Sequence, residues 1–200
     1  MKIVLASNNL GKLGELQLMF APLNVEWIKQ GDLAIPEAPE PFCTFVENAL
    51  AKARHASLAS GLPAMADDAG LCVDAFGGLP GVDTANYATQ FGYPKGDDHN
   101  VTALLEQMQG LTNRRAAMVS TLVAVRSPRD PEPLIAVGRV VVEITLARAG
   151  HNGFGFDPVM WLPAFGQTFA QLPVEVKNAN SHRGGAAQTM LSLMQARWLA

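Results

Sequence analysis

Two adjacent acids near the middle of the chain constrain its fold more than any other feature of the sequence. The apolar run Ala64-Met65-Ala66 leads straight into Asp67 and Asp68, and a second apolar run follows Gly70. We predict a buried strand that ends at this acidic pair. Neighbouring carboxylates repel each other and lose hydration when buried, so they need a cation, hydrogen bonds or water. We therefore interpret the pair as the position at which the fold presents its functional groups.

Length and composition fit one compact domain, or one domain with two lobes. The chain has 200 residues, of which 48% are hydrophobic, and a chain of this size can bury a sizeable core. The net charge of -3 gives no broad electrostatic case for binding nucleic acid or a membrane. Cys43 and Cys72 are isolated, which favours reduced thiols in or near the core. No apolar run suits a signal peptide or a membrane span, so we expect a cytoplasmic protein.

The N-terminal segment is predicted to form a strand, a polar loop and a helix. Residues 1–6 contain a contiguous apolar run, and the polar loop Ser7-Asn8-Asn9-Leu10-Gly11-Lys12 follows it. A loop of this kind can direct backbone N–H groups and a helix N-terminus at an anion, and Lys12 adds a positive charge. The alternative is that Ser7 or Asn8 only caps the helix and Lys12 is solvated.

A second helix is predicted from a capping box. Thr44-Phe45-Val46-Glu47 has the spacing of such a box, and the helix should run to about Ser60. Its buried stripe is predicted to contain Val46, Ala49, Leu50 and Ala53. Asn48 and Lys52 share another face, which either lines a cleft or is simply solvated. The proline-rich and acidic segment 32–42 before it is predicted to be an ordered loop, which either carries a metal-facing carboxylate or, as its composition alone favours, is plain surface.

The second half of the chain interrupts the alternation of strands and helices. Residues 84–96 are predicted to be irregular, and a helix is predicted over 98–109. The β-prone runs 116–125 and 133–146 predict a long antiparallel hairpin. Such a hairpin indicates a mixed sheet, or two lobes with a cleft between them.

A glycine-rich loop and a basic pair complete the list of candidate site elements. In Gly150–Pro158, the glycines either give a flexible loop or admit a ligand on which Phe154 or Phe156 stacks while Asp157 binds a polar edge. Ser181-His182-Arg183-Gly184 leads into a final helix. A His-Arg pair before a helix can bind a carbonyl or a phosphate, although such a pair is more often simply surface.

These separate elements together predict a site for a nucleoside triphosphate. Lysine ammonium groups and a helix N-terminus suit a polyphosphate, and carboxylates suit Mg²⁺ that also binds substrate phosphates. An aromatic glycine loop suits a base. The cations in question are Lys12, Lys52, Lys177 and Arg183.

The chain resembles the inosine/xanthosine triphosphate pyrophosphatase family, and the resemblance covers nearly its whole length. The matching motifs, in family order, are Ser7-x-Asn9-x-x-Lys12, Thr44-Phe45-x-Glu47-Asn48-Ala49-x-x-Lys52-Ala53, Ala66-Asp67-Asp68-x-Gly70-Leu71, Gly77-Gly78-x-Pro80-Gly81, Gly153-Phe154-Gly155-Phe156-Asp157-Pro158 and Ser181-His182-Arg183-Gly184. The resemblance implies an elongated α/β fold with a mixed sheet, two lobes flanking a central active-site cleft, and a homodimer. It implies a single pyrophosphatase domain over residues 1–200.

The resemblance also implies a reaction and a set of site residues. A purine triphosphate with an oxo group at C6 (ITP, dITP or XTP) would be hydrolysed to the monophosphate and pyrophosphate with Mg²⁺, which cleanses the nucleotide pool. Asp68 would act as general base, as a metal ligand, or as both, and Glu40 falls where the family has a metal-facing glutamate. The substrate-binding residues would be Ser7, Asn8, Asn9, Leu10, Gly11, Lys12, Lys52, Ala69, Phe154, Gly155, Phe156, Asp157, Lys177, His182 and Arg183.

Several positions depart from the family pattern. Ala69 replaces the usual serine after the acidic pair, Asn86 replaces an arginine, and Phe156 replaces a tyrosine. Pro41 and Phe42 follow Glu40 where the family has threonine and glycine, which weakens the case for Glu40 as a ligand. The alternative function is therefore a catalytically weak purine-nucleotide-binding or sensing protein on the same fold.

Overall fold

The computed structural model describes residues 1–199, which form a mixed α/β structure. Its α-helices are α1 (Leu10–Met19), α2 (Phe45–Ser60), α3 (Asp97–Gln107), α4 (Val174–Asn180) and α5 (His182–Arg197). Its strands are β1 (Lys2–Leu5), β2 (Glu26–Lys29), β3 (Ala64–Val73), β4 (Arg115–Val125), β5 (Leu134–Ile144), β6 (Met160–Leu162) and β7 (Gln167–Thr168). The helices within these residues are too short or too polar to cross a bilayer.

One seven-stranded sheet runs through the structure in the order β2-β1-β3-β4-β5-β6-β7. β1 pairs in parallel with both β2 and β3, whereas β6 pairs antiparallel with β5 and β7. The predicted mixed sheet is therefore confirmed. The two β-prone runs of the predicted hairpin form β4 and β5, which are neighbours in the sheet.

The described residues fall into two compact units. The first contains Met1–Asp68, Ser120–Gly138 and the residues from His182 onward. The second contains Ala69–Val119 and Arg139–Ser181.

The core of the first unit has two layers because successive side chains of a strand point to opposite faces. Ile3, Leu5 and Met65 lie in one cluster with residues of α1 and α5. Val4 and Ala66 lie in another cluster with the alanines of α2. Within the first unit, the alternation therefore places the odd-numbered core residues of β1 and β3 in the α1/α5 layer and the even-numbered ones in the α2 layer.

The second unit has a core of its own, built around the inward face of α3. Leu104 and Met108 are fully buried there, together with Ile144 of β5 and Phe169. Residues 81–91, most of which were predicted to be irregular, instead form a 3₁₀ helix. Its Tyr87 packs into this core and accounts for the regular structure.

Three further expectations from the sequence are wrong. β3 does not end at the acidic pair but continues through Asp67 and Asp68 to Val73, and each carboxylate has a hydrogen-bond donor in the first unit. Val46 is 37% exposed and does not belong to the buried stripe of α2. Cys43 is exposed rather than near the core, although both cysteines are free thiols as predicted.

A close approach of two backbones ties β5 to α5 in the first unit, and we expect Gly138→Ala to destabilise the protein. A Cβ atom at Gly138 would lie 1.9 Å from the His182 carbonyl oxygen and 2.5 Å from the Ala186 nitrogen. Backbone must move to relieve such a clash, which typically costs about 1–3 kcal/mol. Urea unfolding measures this loss of free energy. Gly14→Ala is the control, because Gly14 lies in a helix with no atom within 4 Å of the added Cβ, and we expect it to stabilise by about 0.5–1 kcal/mol. Equal stability of the two variants would contradict the prediction.

Candidate active site

Asp67 is the hub of a buried ionic network in the first unit. Its carboxylate side chain is fully buried and lies 3.2 Å from the Lys12 ammonium group. The Ser120 hydroxyl donates to its Oδ1 atom at 2.6 Å. The Arg183 guanidinium donates to Oδ2 from Nε at 3.2 Å and from Nη2 at 3.1 Å. Both carboxylate oxygens therefore have strong donors.

Arg183 links Asp67 to a second acid. Its Nη1 atom donates to Oε2 of Glu15 at 2.5 Å, and both side chains are buried. Glu15 lies one turn after Lys12 on α1, while Arg183 is the second residue of α5. The guanidinium that was predicted to bind substrate thus holds α1, β3 and α5 together through two carboxylates.

The charge of Asp67 is set by its cations. Burial raises the pKa of Asp67, but the charges of Lys12 and Arg183 and the Ser120 hydrogen bond outweigh burial. The net result is a pKa well below the ordinary value for an aspartate. Asp67 is therefore ionised throughout the neutral range.

Asp68 faces the other layer of the unit and has different partners. Lys52 of α2 donates from Nζ to Asp68 Oδ1 at 2.8 Å and to Glu40 Oε2 at 2.8 Å. Asp68 Oδ2 is buried and has no hydrogen-bond partner among the described residues. Burial raises the pKa of Asp68 to about 6, against the opposing effect of Lys52. For Glu40, burial is outweighed by Lys52, so its pKa is lowered.

Asn48 does not share the solvated or cleft-lining face that its spacing from Lys52 suggested. It is 1% exposed and is hydrogen-bonded to the backbone of Phe42. Lys52 alone of the two reaches the acidic cluster.

The N-terminal loop combines a helix cap with exposed polar groups. The Asn9 side chain accepts a hydrogen bond from the Lys12 backbone N–H at 3.0 Å and caps α1. Ser7 Oγ accepts from the Asn9 N–H at 3.2 Å, and the Asn8 amide donates to Glu37 at 3.3 Å. Asn8, Asn9 and Leu10 are exposed, whereas Ser7, Gly11 and Lys12 are half-buried. The capping alternative is therefore wrong in its residues, because Asn9 rather than Ser7 or Asn8 caps α1 and Lys12 pairs with Asp67. The positive end of α1 remains open to solvent.

The second unit contains a further buried ion pair. Lys177 of α4 lies 2.6 Å from Asp157 Oδ2, and both residues are buried. Asp157 also accepts the Phe154 backbone N–H at 2.8 Å, and the Lys177 ammonium lies 4.7 Å from the centre of the Phe154 ring. Gly155 donates its N–H to Asp97 at 2.8 Å. The glycine loop is therefore an ordered structure built around Asp157.

The two phenylalanines of that loop have different environments. Phe156 is 4% exposed and packs in the core of the second unit, whereas Phe154 is half-buried beneath Lys177. Of the other predicted residues, Ala69 is half-buried on β3 and His182 is buried at the first position of α5.

Comparisons with known proteins match the whole chain. Residues 3–193 match the sequence profile of the Ham1 family. The chain belongs to the Ham1 family. It is 77% identical over 199 residues to a dITP/XTP pyrophosphatase of Albidiferax ferrireducens and 73% identical over 198 residues to one of Paracidovorax citrulli, with at least 99% of each chain covered. The solved structure of a Ham1 protein from Coxiella burnetii has a TM-score of 0.90 at 37% identity and covers 98% of this chain and 99% of that one.

The donor set of this Ham1-family chain fits Mg²⁺ when substrate supplies the remaining ligands. No group of three or more His, Cys, Asp or Glu side chains within residues 1–199 could hold a metal by itself. Mg²⁺, however, usually takes only one or two protein carboxylates and completes its shell with water and substrate phosphates. Asp68, with its buried unpartnered oxygen, and Glu40 share one ammonium group and offer such a pair.

Two members of the buried network, Glu15 and Ser120, are not predicted from the sequence. Glu15 lies three residues after Lys12 on a helix, a spacing that places both on one side. Ser120 and Thr121 are adjacent hydroxyl residues in the otherwise apolar part of β4, and the partner of Ser120, Asp67, is 53 residues away. The helical spacing from Lys12 could have identified Glu15 as a member of the network. Ser120 could be identified only once the order of the strands in the sheet was known.

We expect Asp67→Asn to destabilise the protein strongly at neutral pH. The amide would leave the half-buried Lys12 without its carboxylate partner and the buried Arg183 with Glu15 alone. Loss of one partner of a buried ion pair typically costs about 3–5 kcal/mol. Chemical denaturation at pH 7 measures the difference. Glu26→Gln is the control, since it breaks the exposed Lys2–Glu26 pair and should cost less than about 1 kcal/mol.

The Asp67 contribution should also depend on pH with a definite sign. Its pKa is lowered on folding, so the stabilisation is complete above the unfolded-state value of about 3.9 and is lost as pH falls below it. The gap between wild type and Asp67→Asn should therefore be constant from pH 5 to pH 8 and shrink below about pH 4. A gap that widens in acid would contradict an ionised Asp67.

Proposed function

We propose that the chain hydrolyses purine nucleoside triphosphates with a 6-oxo base, namely ITP, dITP and XTP, to the monophosphate and pyrophosphate. The single strongest support is the cluster in which Lys52 contacts both Asp68 and Glu40. The charge of Lys12, in the first turn of α1, also acts against burial to lower the pKa of both acids. Relatives that match over their full length are named dITP/XTP pyrophosphatases. We further propose one pyrophosphatase domain over residues 1–200, acting in the cytoplasm as a homodimer.

In this proposal, Asp68 is the general base. Its carboxylate takes a proton from the attacking water as the α–β phosphoanhydride bond breaks and pyrophosphate leaves. A base works best when its pKa lies near the operating pH, and burial raises the pKa of Asp68 to about 6. The carboxylate is therefore mostly ionised at pH 7 and still basic enough to accept a proton.

The phosphates are proposed to bind at the N-terminal loop and the lysines. The α1 N-terminus has no acidic residue in its first turn, so its partial positive charge is not cancelled there. The loop from Ser7 to Gly11, together with Lys12 and Lys52, would neutralise the polyphosphate. Ala69 follows Asp68 and would contact the substrate through its backbone, since its methyl group offers no hydrogen bond.

Asp68 and Glu40 are the residues that would hold Mg²⁺. The bound ion would neutralise charge on the phosphates and favour departure of pyrophosphate. Lys52 contacts both acids, so its ammonium group keeps them close together and limits their repulsion.

The base is proposed to be recognised by Phe154, Gly155, Asp157, Lys177 and His182. The half-buried ring of Phe154 suits stacking, whereas Phe156 supports the loop from the core. Donors directed at O6 favour a 6-oxo purine, because adenine presents an amino donor at that position. Arg183 would contribute through the position of its neighbour His182 at the start of α5.

Product analysis tests the proposed reaction. Purified protein with Mg²⁺ should release equal amounts of pyrophosphate and monophosphate from ITP, dITP and XTP, and far less from ATP or dTTP. Release of orthophosphate and diphosphate would contradict cleavage at the α–β bond. Binding of ITP without turnover would favour the nucleotide-sensing alternative.

We expect Asp68→Asn to lower kcat for ITP by at least about 100-fold, since a positioned general base contributes at least this factor. The substitution preserves size and removes the proton acceptor, so far-UV circular dichroism should be unchanged. Asp32→Asn, at an exposed aspartate in the same unit, is the control and should retain wild-type kcat. A fully active Asp68→Asn protein would refute the role of Asp68.

A further inference from the structure

The segment that carries Glu40 has no secondary structure to fix it. Residues 35–42 form neither helix nor strand. Their backbone N–H and C=O groups must therefore find other partners or water. Glu40 is exposed within this segment, yet its carboxylate lies 2.8 Å from Lys52. Something other than burial or a sheet must set the position of Glu40.

The side chain of Asn48 anchors the backbone of Phe42, which lies two residues after Glu40. Its side-chain Oδ1 accepts the Phe42 backbone N–H at 3.1 Å, and its Nδ2 donates to the Phe42 carbonyl at 3.0 Å. One amide thus satisfies both backbone groups of Phe42, as a neighbouring strand would do. Asn48 is 1% exposed and lies in the first turn of α2, so the anchor itself has a fixed position.

Pro41 makes the position of Glu40 depend on the anchored backbone of Phe42. Pro41 lies between the anchored Phe42 and Glu40. Its ring fixes its own φ angle and restricts the preceding residue to extended conformations. On the other side of Glu40, the His55 ring Nε2 lies 3.0 Å from the Pro36 carbonyl oxygen. Glu40 therefore lies in a stiff stretch held at both ends by α2.

We infer that Asn48 is a positioning residue that holds Glu40 beside Asp68 through its paired hydrogen bonds to Phe42. This inference rests on the function proposed above, in which Glu40 and Asp68 share a divalent cation. Lys52 is one turn further along α2 and contacts both acids. The same helix therefore sets the position of the Glu40 segment and of the ammonium group between the two carboxylates.

Metal affinity distinguishes this role from a general contribution to the helix. Mn²⁺ is titrated into wild type and Asn48→Ala in the presence of an α,β-methylene analogue of ITP, and free Mn²⁺ is followed by electron paramagnetic resonance. Loss of a group that orients a metal ligand typically weakens metal binding about 10-fold or more. Asn48→Ala should show a weakening of about 10-fold, and the Mg²⁺ concentration for half-maximal turnover should rise by a similar factor.

Glu47→Ala is the matched control. Glu47 is the neighbouring residue in the same turn of α2, where its carboxylate accepts a hydrogen bond from the hydroxyl of the N-cap residue Thr44. Its removal weakens the helix start without touching the Glu40 segment, so Mn²⁺ affinity should stay within about 2-fold of wild type while stability falls. If the alanine variant of Asn48 fails to fold, Asn48→Ser is titrated instead, because serine is too short to make both hydrogen bonds.

The outcomes separate the two proposals. Mn²⁺ binding by Asn48→Ala that equals the Glu47→Ala value overturns the positioning role, even if wild type releases pyrophosphate as proposed. If the wild-type protein binds Mn²⁺ but releases no pyrophosphate, the proposed reaction is wrong. The Mn²⁺ affinities of Asn48→Ala and Glu47→Ala still test the positioning role of Asn48 in that case. A wild type that binds no Mn²⁺ in the presence of the analogue overturns both.

Discussion

The first unit depends on one buried carboxylate, because Asp67 is the common partner of three elements. Lys12 comes from α1, Ser120 from β4 and Arg183 from α5, and all three contact this single side chain. A buried charge without partners costs several kcal/mol, so each partner is needed to keep the carboxylate ionised in the core. The network thereby sets the relative positions of the helix that carries Lys12 and of the strand that carries Asp68.

The alternation of β3 turns an unfavourable acidic pair into two separate environments. Adjacent residues of a strand point to opposite faces, so Asp67 joins the α1/α5 layer and Asp68 the α2 layer. The two carboxylates therefore avoid sharing one pocket, and the pKa of Asp67 is lowered while that of Asp68 is raised. A strand that ended at the pair, as the sequence suggested, would not enforce this separation.

The sequence predicted the local elements well and the long-range partners poorly. The N-cap of α2 at Thr44 and the helix after Ser181 follow from spacing alone, and both are present. The second half of the predicted capping box is absent, since the Glu47 side chain accepts from the Thr44 hydroxyl instead of the Thr44 backbone N–H. The pairing of Asp67 with Arg183, 116 residues away, cannot be derived from spacing, since it depends on which strands and helices are neighbours. Phe156 shows the same limit: a phenylalanine in a glycine-rich loop suits stacking and core packing equally, and only the fold assigned it to the core.

The two acids also differ in how firmly they are held. Asp67 accepts two hydrogen bonds from the planar guanidinium of Arg183, whose donors have a rigid geometry and whose second side binds Glu15. Asp68 is held by one ammonium group on a flexible four-carbon chain, and that group is shared with Glu40. An ammonium can turn toward an incoming phosphate without leaving its helix, whereas the guanidinium of Arg183 cannot move without breaking a buried network. The physical difference between arginine and lysine therefore gives Asp67 a structural role and supports the proposal that Asp68 is the acid that acts in catalysis.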